Sequence, residues 1–286
     1  MKKILVQFDS DRVPSVFDAI TAYDAGVDVL LQHGGIEPQE VRDLVYGAMF
    51  TRGPADLKSS AVFIGGIDVA KGEAILQEVV GAFFDPLRVS VMLDSNGCNT
   101  TSTAAVVKVI SAAPVRDQKV VVLAGTGPVG QRAAALLAKE GADVTLTSRT
   151  LERAEAACAS LQERFGASAT PAAVADVAAT KAVLAGAVAV VCTGVEGVML
   201  VPEDLWRGHS TLRVLADVNA VPPLGVEGTK AHWDGKEIDD KLLFGALGIG
   251  DLKMKVHRRS IARLFEQNDL VLDAEAIMVS AKELAG

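Results

Sequence analysis

Apolar and polar positions alternate along the chain with two different periods. Short apolar runs predict strands at residues 4–8, 27–31, 61–64 and 89–93. Between them, apolar positions spaced three or four apart predict helices at residues 16–23, 40–49 and 69–83. Asp68 stands where the third helix needs an N-cap. Strands and helices that alternate in this way predict an α/β fold with a parallel sheet covered on both faces.

The alternation resumes after a break near residues 113–117, where Pro114 would end a helix that begins around Thr101. Strands are predicted at residues 119–124, 143–147, 188–192 and 213–216, and helices at 129–140 and 152–165. Beyond Val218 the pattern fades into a glycine-rich loop at 245–250. Two helices, at 252–266 and 273–285, then close the chain without a strand of their own. We therefore predict one domain of residues 1–113 with 253–286, completed by these C-terminal helices, and another of residues 114–252.

Composition and charge exclude several classes of partner. The 286 residues carry 28 basic and 36 acidic side chains, a net charge of −8, and no basic stripe, so neither nucleic acid nor an anionic membrane surface is an expected partner. The longest uncharged apolar stretch, residues 182–195, is shorter than the roughly 18 residues that a membrane span needs. The three cysteines are far apart and show no metal-ligand spacing, which predicts no metal site and a reducing, cytoplasmic setting.

A glycine pattern follows the first strand of the second domain. It consists of Gly125, Thr126, Gly127, Pro128, Val129 and Gly130 and fits GxGxxG between a strand and a helix. The first glycine permits a tight turn, the second lets the backbone approach a pyrophosphate, and the third allows close packing of helix on strand. This context predicts a Rossmann-type dinucleotide-binding domain. The alternative is a turn that merely needs glycine.

The end of the next strand bears on the choice of dinucleotide. An NAD site usually has an acid there, whereas this chain has Ser148, Arg149 and Thr150. A guanidinium can pair with a 2′-phosphate and the hydroxyls can donate to it, so the sequence favours NADP. Arg149 could instead cap an exposed turn. Thr193, after a later strand, would lie near the nicotinamide ribose or belong to an ordinary turn.

Two further clusters could carry chemistry. Residues 94–101 offer donors and acceptors suited to a polar heterocycle, although from the residues alone an Asx turn with a Thr or Asn helix cap is the favoured interpretation. Lys253 and His257 share a helix face with Ser260 and could hold an anionic or carbonyl group beside a cofactor. From the residues alone, a solvated helix face is the favoured interpretation of that set.

Several segments, read together, resemble one enzyme family. They are residues 7–9 with 14–18, residues 63–66, residues 92–101, residues 122–130, residues 217–225, and residues 244–250 with Lys253, Lys255 and His257. In these segments the chain resembles the NADP-dependent methylene-tetrahydromethanopterin dehydrogenases of methylotrophic bacteria and, more distantly, methylene-tetrahydrofolate dehydrogenases. The resemblance spans nearly the whole chain.

The resemblance implies hydride transfer from the methylene group of a pterin one-carbon carrier, tetrahydromethanopterin or tetrahydrofolate, to NADP+. It implies roles in catalysis for Phe17, Thr101, Lys253 and His257, and in binding the pterin for Ser15, Asp18, Asp94, Asn96 and Asn99. On the cofactor side it implies the glycine loop, Ser148, Arg149, Thr193, Asn219, Leu247 and Gly248. It also implies a homo-oligomer, with a trimer suggested. Two alternatives stay open: another two-domain NADP oxidoreductase, such as a shikimate-type dehydrogenase, and a non-catalytic NADP-binding sensor.

Overall fold

The computed structural model describes residues 1–285 and divides into two compact units. Unit 1 contains Met1–Thr100 and Met254–Leu284, and unit 2 contains Thr101–Lys253 with Ala285. Unit 1 is therefore built from two separate stretches of the chain. Each unit has its own sheet.

Unit 1 is a parallel sheet of five strands with helices in the connections. Its N-terminal part contains β1 (Ile4–Asp9), α1 (Val16–Asp24), β2 (Val29–Gly34), α2 (Val41–Met49), β3 (Ser60–Gly65), α3 (Val69–Gly81), β4 (Ser90–Leu93) and the start of α4 (Cys98–Ala112). Asp68 caps α3 by accepting the backbone N–H of Lys71, as predicted. Aliphatic side chains of β1, β3 and β4 pack against α2 and α3 to form the core.

The C-terminal part of unit 1 corrects one prediction. The last two helices do have a strand between them, the two-residue β12 (Val271–Leu272), which pairs in parallel with β4. The sheet order is therefore β12-β4-β3-β1-β2. The flanking Asn and Asp residues gave no apolar run long enough to predict a strand here.

Unit 2 holds a sheet of seven strands in the order β10-β11-β9-β8-β5-β6-β7. Besides most of α4, its elements are β5 (Lys119–Leu123), α5 (Pro128–Lys139), β6 (Asp143–Ser148), α6 (Leu151–Phe165), β7 (Thr170–Ala173), α7 (Val177–Leu184), β8 (Ala189–Cys192), α8 (Glu203–Trp206), β9 (Val214–Asp217), β10 (Asp234–Ile238), β11 (Lys241–Phe244) and the first part of α9 (Ala246–Arg263), as far as Lys253. All neighbouring strands are parallel except β10 and β11. Trp206 is fully buried in its core and donates its indole N–H to the carbonyl of Glu227.

Two predictions for the region after Val218 are wrong. The alternation does not fade, because β10 and β11 form a hairpin whose turn residues, Asp239 and Asp240, have positive φ angles. The segment 245–250 is also not a loop, since α9 begins at Ala246. Close packing accounts for one of the two glycines in this helix, because a Cβ on Gly248 would lie 2.3 Å from the carbonyl oxygen of Trp233, whereas a Cβ on Gly250 would meet no atom within 4 Å. Glycine content alone suggested a loop.

The remaining predicted elements agree with the structure to within a few residues at their ends, and the α/β class is confirmed. The last helix is α10 (Ala274–Ala285). Among residues 1–285, none of the helices combines the length and the apolar character that crossing a bilayer requires.

Candidate active site

The order of strands in unit 2 marks where a ligand would bind. From β5 the sheet extends through β6 and β7 on one side and through β8 and β9 on the other. Open α/β sheets bind ligands beyond the carboxyl ends of the strands at such a reversal of order. The loop after β5 contains the glycine pattern, and the loop after β8 contains Thr193. The structure therefore brings these two predicted features to adjacent strand ends.

Two of the three pattern glycines are required by packing. A Cβ on Gly130 would lie 2.5 Å from the Cα atom of Gly125 and 2.6 Å from Oγ1 of Thr193. A Cβ on Gly125 would lie 2.9 Å from side-chain carbons of Val122 and Leu146. Both positions therefore allow the start of α5 to sit close to the strand ends.

Gly127 is different, because a Cβ at this position would meet no protein atom within 4 Å. Gly127 is the N-cap of α5 and supplies no side-chain cap, and Pro128 follows it at the first helical position. A helix start without a side-chain cap, beside open space, suits a pyrophosphate bound by backbone N–H groups. The turn-only interpretation accounts for Gly125 and Gly130 but not for Gly127, so the residues present fit a dinucleotide.

Hydroxyl groups hold the glycine loop in place. Ala124 has a φ of 53°, and its N–H donates to Oγ1 of Thr147 at 3.0 Å. Thr193 donates its hydroxyl to the carbonyl of Leu123, also at 3.0 Å. The carbonyl of Thr126 accepts from the side-chain amide of Gln131. Thr193 is thus tied to the end of β5, directly before the glycine loop.

The end of β6 presents the three residues that were predicted to select NADP. Ser148 is buried, whereas Arg149 and Thr150 are exposed. Among the described residues, the guanidinium of Arg149 makes no hydrogen bond or ion pair, so it caps nothing. Thr150 is the N-cap of α6 without a side-chain cap bond. The charge of Arg149 is therefore available to a bound anion.

The loop after β9 is organised by a buried carboxylate. Oδ1 of Asp217 accepts the N–H of Asn219 at 3.0 Å, and Oδ2 accepts the N–H of Val226 at 3.1 Å. Burial raises the pKa of Asp217 above its usual value even though these hydrogen bonds oppose the shift. The side chain of Asn219 bonds within the same loop, to the carbonyl of Pro223 and the N–H of Val221. Leu247, by contrast, is exposed at the start of α9.

In unit 1, a histidine on α9 is enclosed by aromatic rings and a carboxylate. His257 is fully buried, and its ring stacks on that of Phe63 with centroids 5.6 Å apart. The ring of Phe17, itself 51% exposed, is tilted against it at 6.2 Å. Oδ2 of Asp94 lies 3.8 Å from Nδ1 of His257. His257 therefore packs against both the half-exposed Phe17 and the buried Phe63.

The segment 94–101 contains a capping arrangement, but not the predicted one. The cap is the carboxylate of Asp94, which accepts the N–H groups of Asn99 and Thr100 and the hydroxyl of Thr100. Asn99 donates its side-chain amide to the carbonyl of Leu93. These N–H groups lie five and six residues beyond Asp94, so the bonds are not those of an Asx turn, and the capping side chain is an Asp rather than the expected Thr or Asn.

The other predicted pterin-binding residues have more accessible positions. Ser15 is the N-cap of α1 and accepts the N–H of Asp18. A Cβ on Gly65 would lie 3.0 Å from Oδ2 of Asp18, so glycine lets this carboxylate approach the end of β3. Asn96 is exposed and has a φ of 52°. Ser15 and Asp18 therefore come after β1 in the chain, and Asn96 comes after β4.

The face of α9 that carries His257 and Ser260 is not exposed to solvent. His257 and Ser260 are both fully buried, which contradicts the favoured interpretation of that segment for these two residues. Lys253 is half-buried, while Lys255 on another face is exposed. Thr101, in the first turn of α4, is half-buried as well.

Comparisons with known proteins identify the family. The sequence model described as "Methylene-tetrahydromethanopterin dehydrogenase, N-terminal" matches residues 16–96. "Bifunctional protein MdtA" of Methylorubrum extorquens is 49% identical over 286 residues, which cover 99% of both chains. The chain belongs to the methylene-tetrahydromethanopterin dehydrogenase family. A second protein of that organism, "NAD(P)-dependent methylenetetrahydromethanopterin dehydrogenase", is 29% identical over 95% of both chains.

A solved structure shares the fold. Shikimate 5-dehydrogenase from Listeria monocytogenes, in complex with shikimate and NAD, covers 100% of this chain and 96% of its own with a TM-score of 0.54. The identity is 12%, so this likeness concerns architecture alone.

This member of the family also has site residues that the sequence analysis missed. Phe63 supports His257, and Asp9 and Asp217 are buried carboxylates at the ends of β1 and β9. One signal was available: an acid directly after an apolar run ends a strand and must then satisfy its charge locally. The stacking of Phe63 on His257 had no such signal, because it joins residues 194 positions apart in the sequence.

Proposed function

We propose that this dehydrogenase transfers a hydride from the methylene form of a pterin one-carbon carrier, tetrahydromethanopterin or tetrahydrofolate, to NADP+ in one-carbon metabolism. The hydride leaves the methylene carbon that bridges two nitrogens of the carrier. The products are the methenyl carrier and NADPH, and no proton is exchanged. The observation that carries the proposal is the 49% identity along the whole chain to a relative in this family.

The reaction asks little of acid–base catalysis. As the hydride departs, positive charge develops on the bridging carbon and is delocalised onto its two nitrogens. The chain's task is to orient two rings face to face and to exclude water. Aromatic, amide and hydroxyl groups among the candidate residues, such as Phe17, Asn96 and Thr101, suit this task of orientation.

When bound, NADP+ supplies the acceptor carbon for the hydride. We assign the backbone of residues 125–130 to its pyrophosphate, supported by the open space at Gly127. We assign Arg149, with Ser148 and Thr150, to the 2′-phosphate, supported by the uncommitted guanidinium. Thr193, Asn219, Leu247 and Gly248 are assigned to the nicotinamide end.

For the pterin we divide the predicted residues by burial. The half-exposed Phe17 packs on the ring system, and Lys253, Thr101, Asp18 and Asn96 contact its polar groups. Asp94, Asn99 and His257 are buried, so we assign them to holding those contacts in place. His257 lies behind the ring of Phe17 and sets its plane. Ser15 fixes the start of the helix that carries Phe17.

The proposal is tested by mixing the purified protein with methylene-tetrahydromethanopterin or methylene-tetrahydrofolate, each with NADP+ or NAD+. Absorbance follows the reduced nucleotide and the methenyl product. We expect turnover with NADP+, faster than with NAD+, and the experiment ranks the two carriers. Shikimate with NADP+ is the control for the other oxidoreductase class that was considered.

Three results would overturn the proposal. Oxidation of shikimate without turnover of either carrier would assign the protein to a shikimate-type activity. Tight NADP+ binding without turnover of any substrate would favour a sensor. Equal rates with NADP+ and NAD+ would remove the role assigned to Arg149.

We also propose a homo-oligomer, a trimer as the family resemblance suggests, in the cytoplasm. All three cysteines are free, which is consistent with a reducing compartment. Light scattering after size-exclusion chromatography tests the trimer, and a monomeric mass for the active protein would overturn it.

A further inference from the structure

The carboxylate of Asp9 belongs to none of the roles assigned so far. It ends β1, is fully buried, and is paired in register with Gly65 of β3. In unit 1 the sheet extends from β1 to β2 on one side and from β3 to β4 on the other, so Asp9 marks the reversal of strand order. The same type of position in unit 2 carries the glycine loop.

Asp9 is bonded to the segment that leads into α1. Its Oδ1 accepts the N–H of Asp11 at 2.9 Å, and its Oδ2 accepts the N–H of Ser15 at 3.0 Å. Ser15 in turn accepts the N–H of Asp18 through its hydroxyl at 3.1 Å. The carboxylate therefore fixes both ends of the connection between β1 and the first turn of α1.

A chain of side-chain amides anchors Asp9 to the sheet. Its Oδ2 also accepts the side-chain amide of the buried Gln7 at 3.0 Å, and Gln7 accepts that of Gln32 on β2 at 3.0 Å. Three donors satisfy one buried carboxylate, which is the condition for burying such a charge. The arrangement is rigid because each amide has one orientation that satisfies its neighbours.

The hydrogen bonds of Asp9 fix the position of the first turn of α1, which contains Phe17 and Asp18. Phe17 contacts His257, and Asp18 approaches Gly65. We propose that Asp9 is a positioning residue for hydride transfer: it sets the N-terminus of α1 so that Phe17 holds the pterin at the distance and angle that the transfer needs. The inference rests on the proposed function, and misplacement by about 1 Å is enough to cost on the order of 100-fold in rate.

Two substitutions separate positioning from general stability. Asp9→Ala removes all three acceptor bonds, whereas Asp9→Asn keeps a carbonyl oxygen for Ser15 and Gln7 and loses the bond to Asp11. The matched control is Asp28→Asn, because Asp28 accepts the N–H of Lys3 at the opposite end of the same two strands. We expect kcat with the carrier to fall about 10- to 100-fold in Asp9→Ala and less in Asp9→Asn. The KM for NADP+ should stay within about twofold in both.

A fluorine NMR measurement tests the position of Phe17 without relying on turnover. A 4-fluorophenylalanine at position 17 reports the packing of that ring through its ¹⁹F chemical shift and line width. We expect a shifted, broadened signal in both Asp9 variants and an unchanged signal in Asp28→Asn. If the unsubstituted protein turns over no carrier, the proposed function fails while the ¹⁹F signal still tests the positioning.

The inference is overturned if either Asp9 variant leaves the ¹⁹F signal unchanged. It is also overturned if an active protein keeps its kcat after Asp9→Asn while thermal unfolding shows lost stability. Should Asp9→Ala fail to fold, the Asp9→Asn variant decides through the same two measurements.

Discussion

The ring of His257 stacks on that of Phe63 with an interplanar angle of 23° and a centroid separation of 5.6 Å. Phe63 is on β3 and His257 is on α9, and Phe17 of α1 contacts the same imidazole from another direction. With Oδ2 of Asp94 3.8 Å from Nδ1, the imidazole has very little freedom to rotate. A residue first noted as a possible ligand contact is thus built into the interior, and the half-exposed Phe17 packs against it.

The half-buried Lys253 gives the most direct test of the pterin contacts. Replacing Lys253 with Ala should lower turnover about 10- to 100-fold, because a hydrogen bond from a charged donor is lost. Binding of NADP+, measured by calorimetry, should persist. Lys255→Ala is the control, since Lys255 is exposed on another face of the same helix. Unchanged turnover in Lys253→Ala would remove its assigned role.

Arg149 should determine the preference for the phosphorylated dinucleotide. Arg149→Ala should raise the KM for NADP+ about 10- to 100-fold, because a charge-assisted contact to phosphate is lost. The KM for NAD+, which lacks that phosphate, should change by less than about twofold. Arg153→Ala, an exposed arginine in the first turn of α6, serves as the comparison. A parallel rise in both KM values would contradict the assignment.

The glycine loop offers a pair of substitutions with opposite outcomes. Gly130→Ala places a methyl group against Gly125 and Thr193 and should cost about 1–3 kcal/mol of stability through overpacking. Gly127→Ala meets no protein atom and should leave the melting temperature nearly unchanged. It should still weaken NADP+ binding at least about 10-fold, because the methyl group occupies the space assigned to the pyrophosphate. Full NADP+ affinity in Gly127→Ala would place the pyrophosphate elsewhere.

The three thiols should react very differently with iodoacetamide. Cys98 and Cys192 are buried, whereas Cys158 is partly exposed. Burial raises the pKa of Cys158 above its usual 9.0, so its labelling near neutral pH should be slow and should accelerate as the pH rises. Burial, together with the nearby carboxylate of Asp217, raises the pKa of Cys192 further still. Peptide mass spectrometry should find label on Cys158 alone until urea unfolds the chain, and early labelling of Cys192 would contradict the burial argument.

Period and glycine spacing were enough to predict most of the fold, including the strand, glycine loop and helix around residues 119–139. The strand before Gly125 and the helix after it are consecutive in sequence, so their local pattern carries the information. The hairpin of β10 and β11 was missed because β10 is largely polar and β11 has only four residues, and β12 was missed because it has only two. Such strands form because a neighbouring strand is available, which is a tertiary effect.

The pterin side of the site was predictable only in part. The resemblance named both Phe17 and His257. Burial decides which of the named side chains is accessible to a ligand and which one supports its neighbours. The sequence pattern does not predict burial for a single polar residue. Residues 94–101 could supply donors and acceptors for a heterocycle or form a turn with a helix cap, and the hydrogen bonds of Asp94 to the N–H groups of Asn99 and Thr100 serve the start of α4. A cap and a ligand contact call for the same residue types, so the sequence alone leaves both interpretations open.

The pairing of β12 with β4 has a consequence for the order in which the protein is made. Ser90 bonds to Leu270, 180 residues later in the chain, and Val91 pairs with Val271. During synthesis the first hundred residues leave the ribosome with the edge of β4 bare, and the contiguous residues of unit 2 emerge whole before β12 does. A chain arrested before residue 270 would keep that open edge, which is a template for aggregation. Translation past Leu272 is therefore what lets the nascent protein add the last strand of its first sheet and cover the edge of β4.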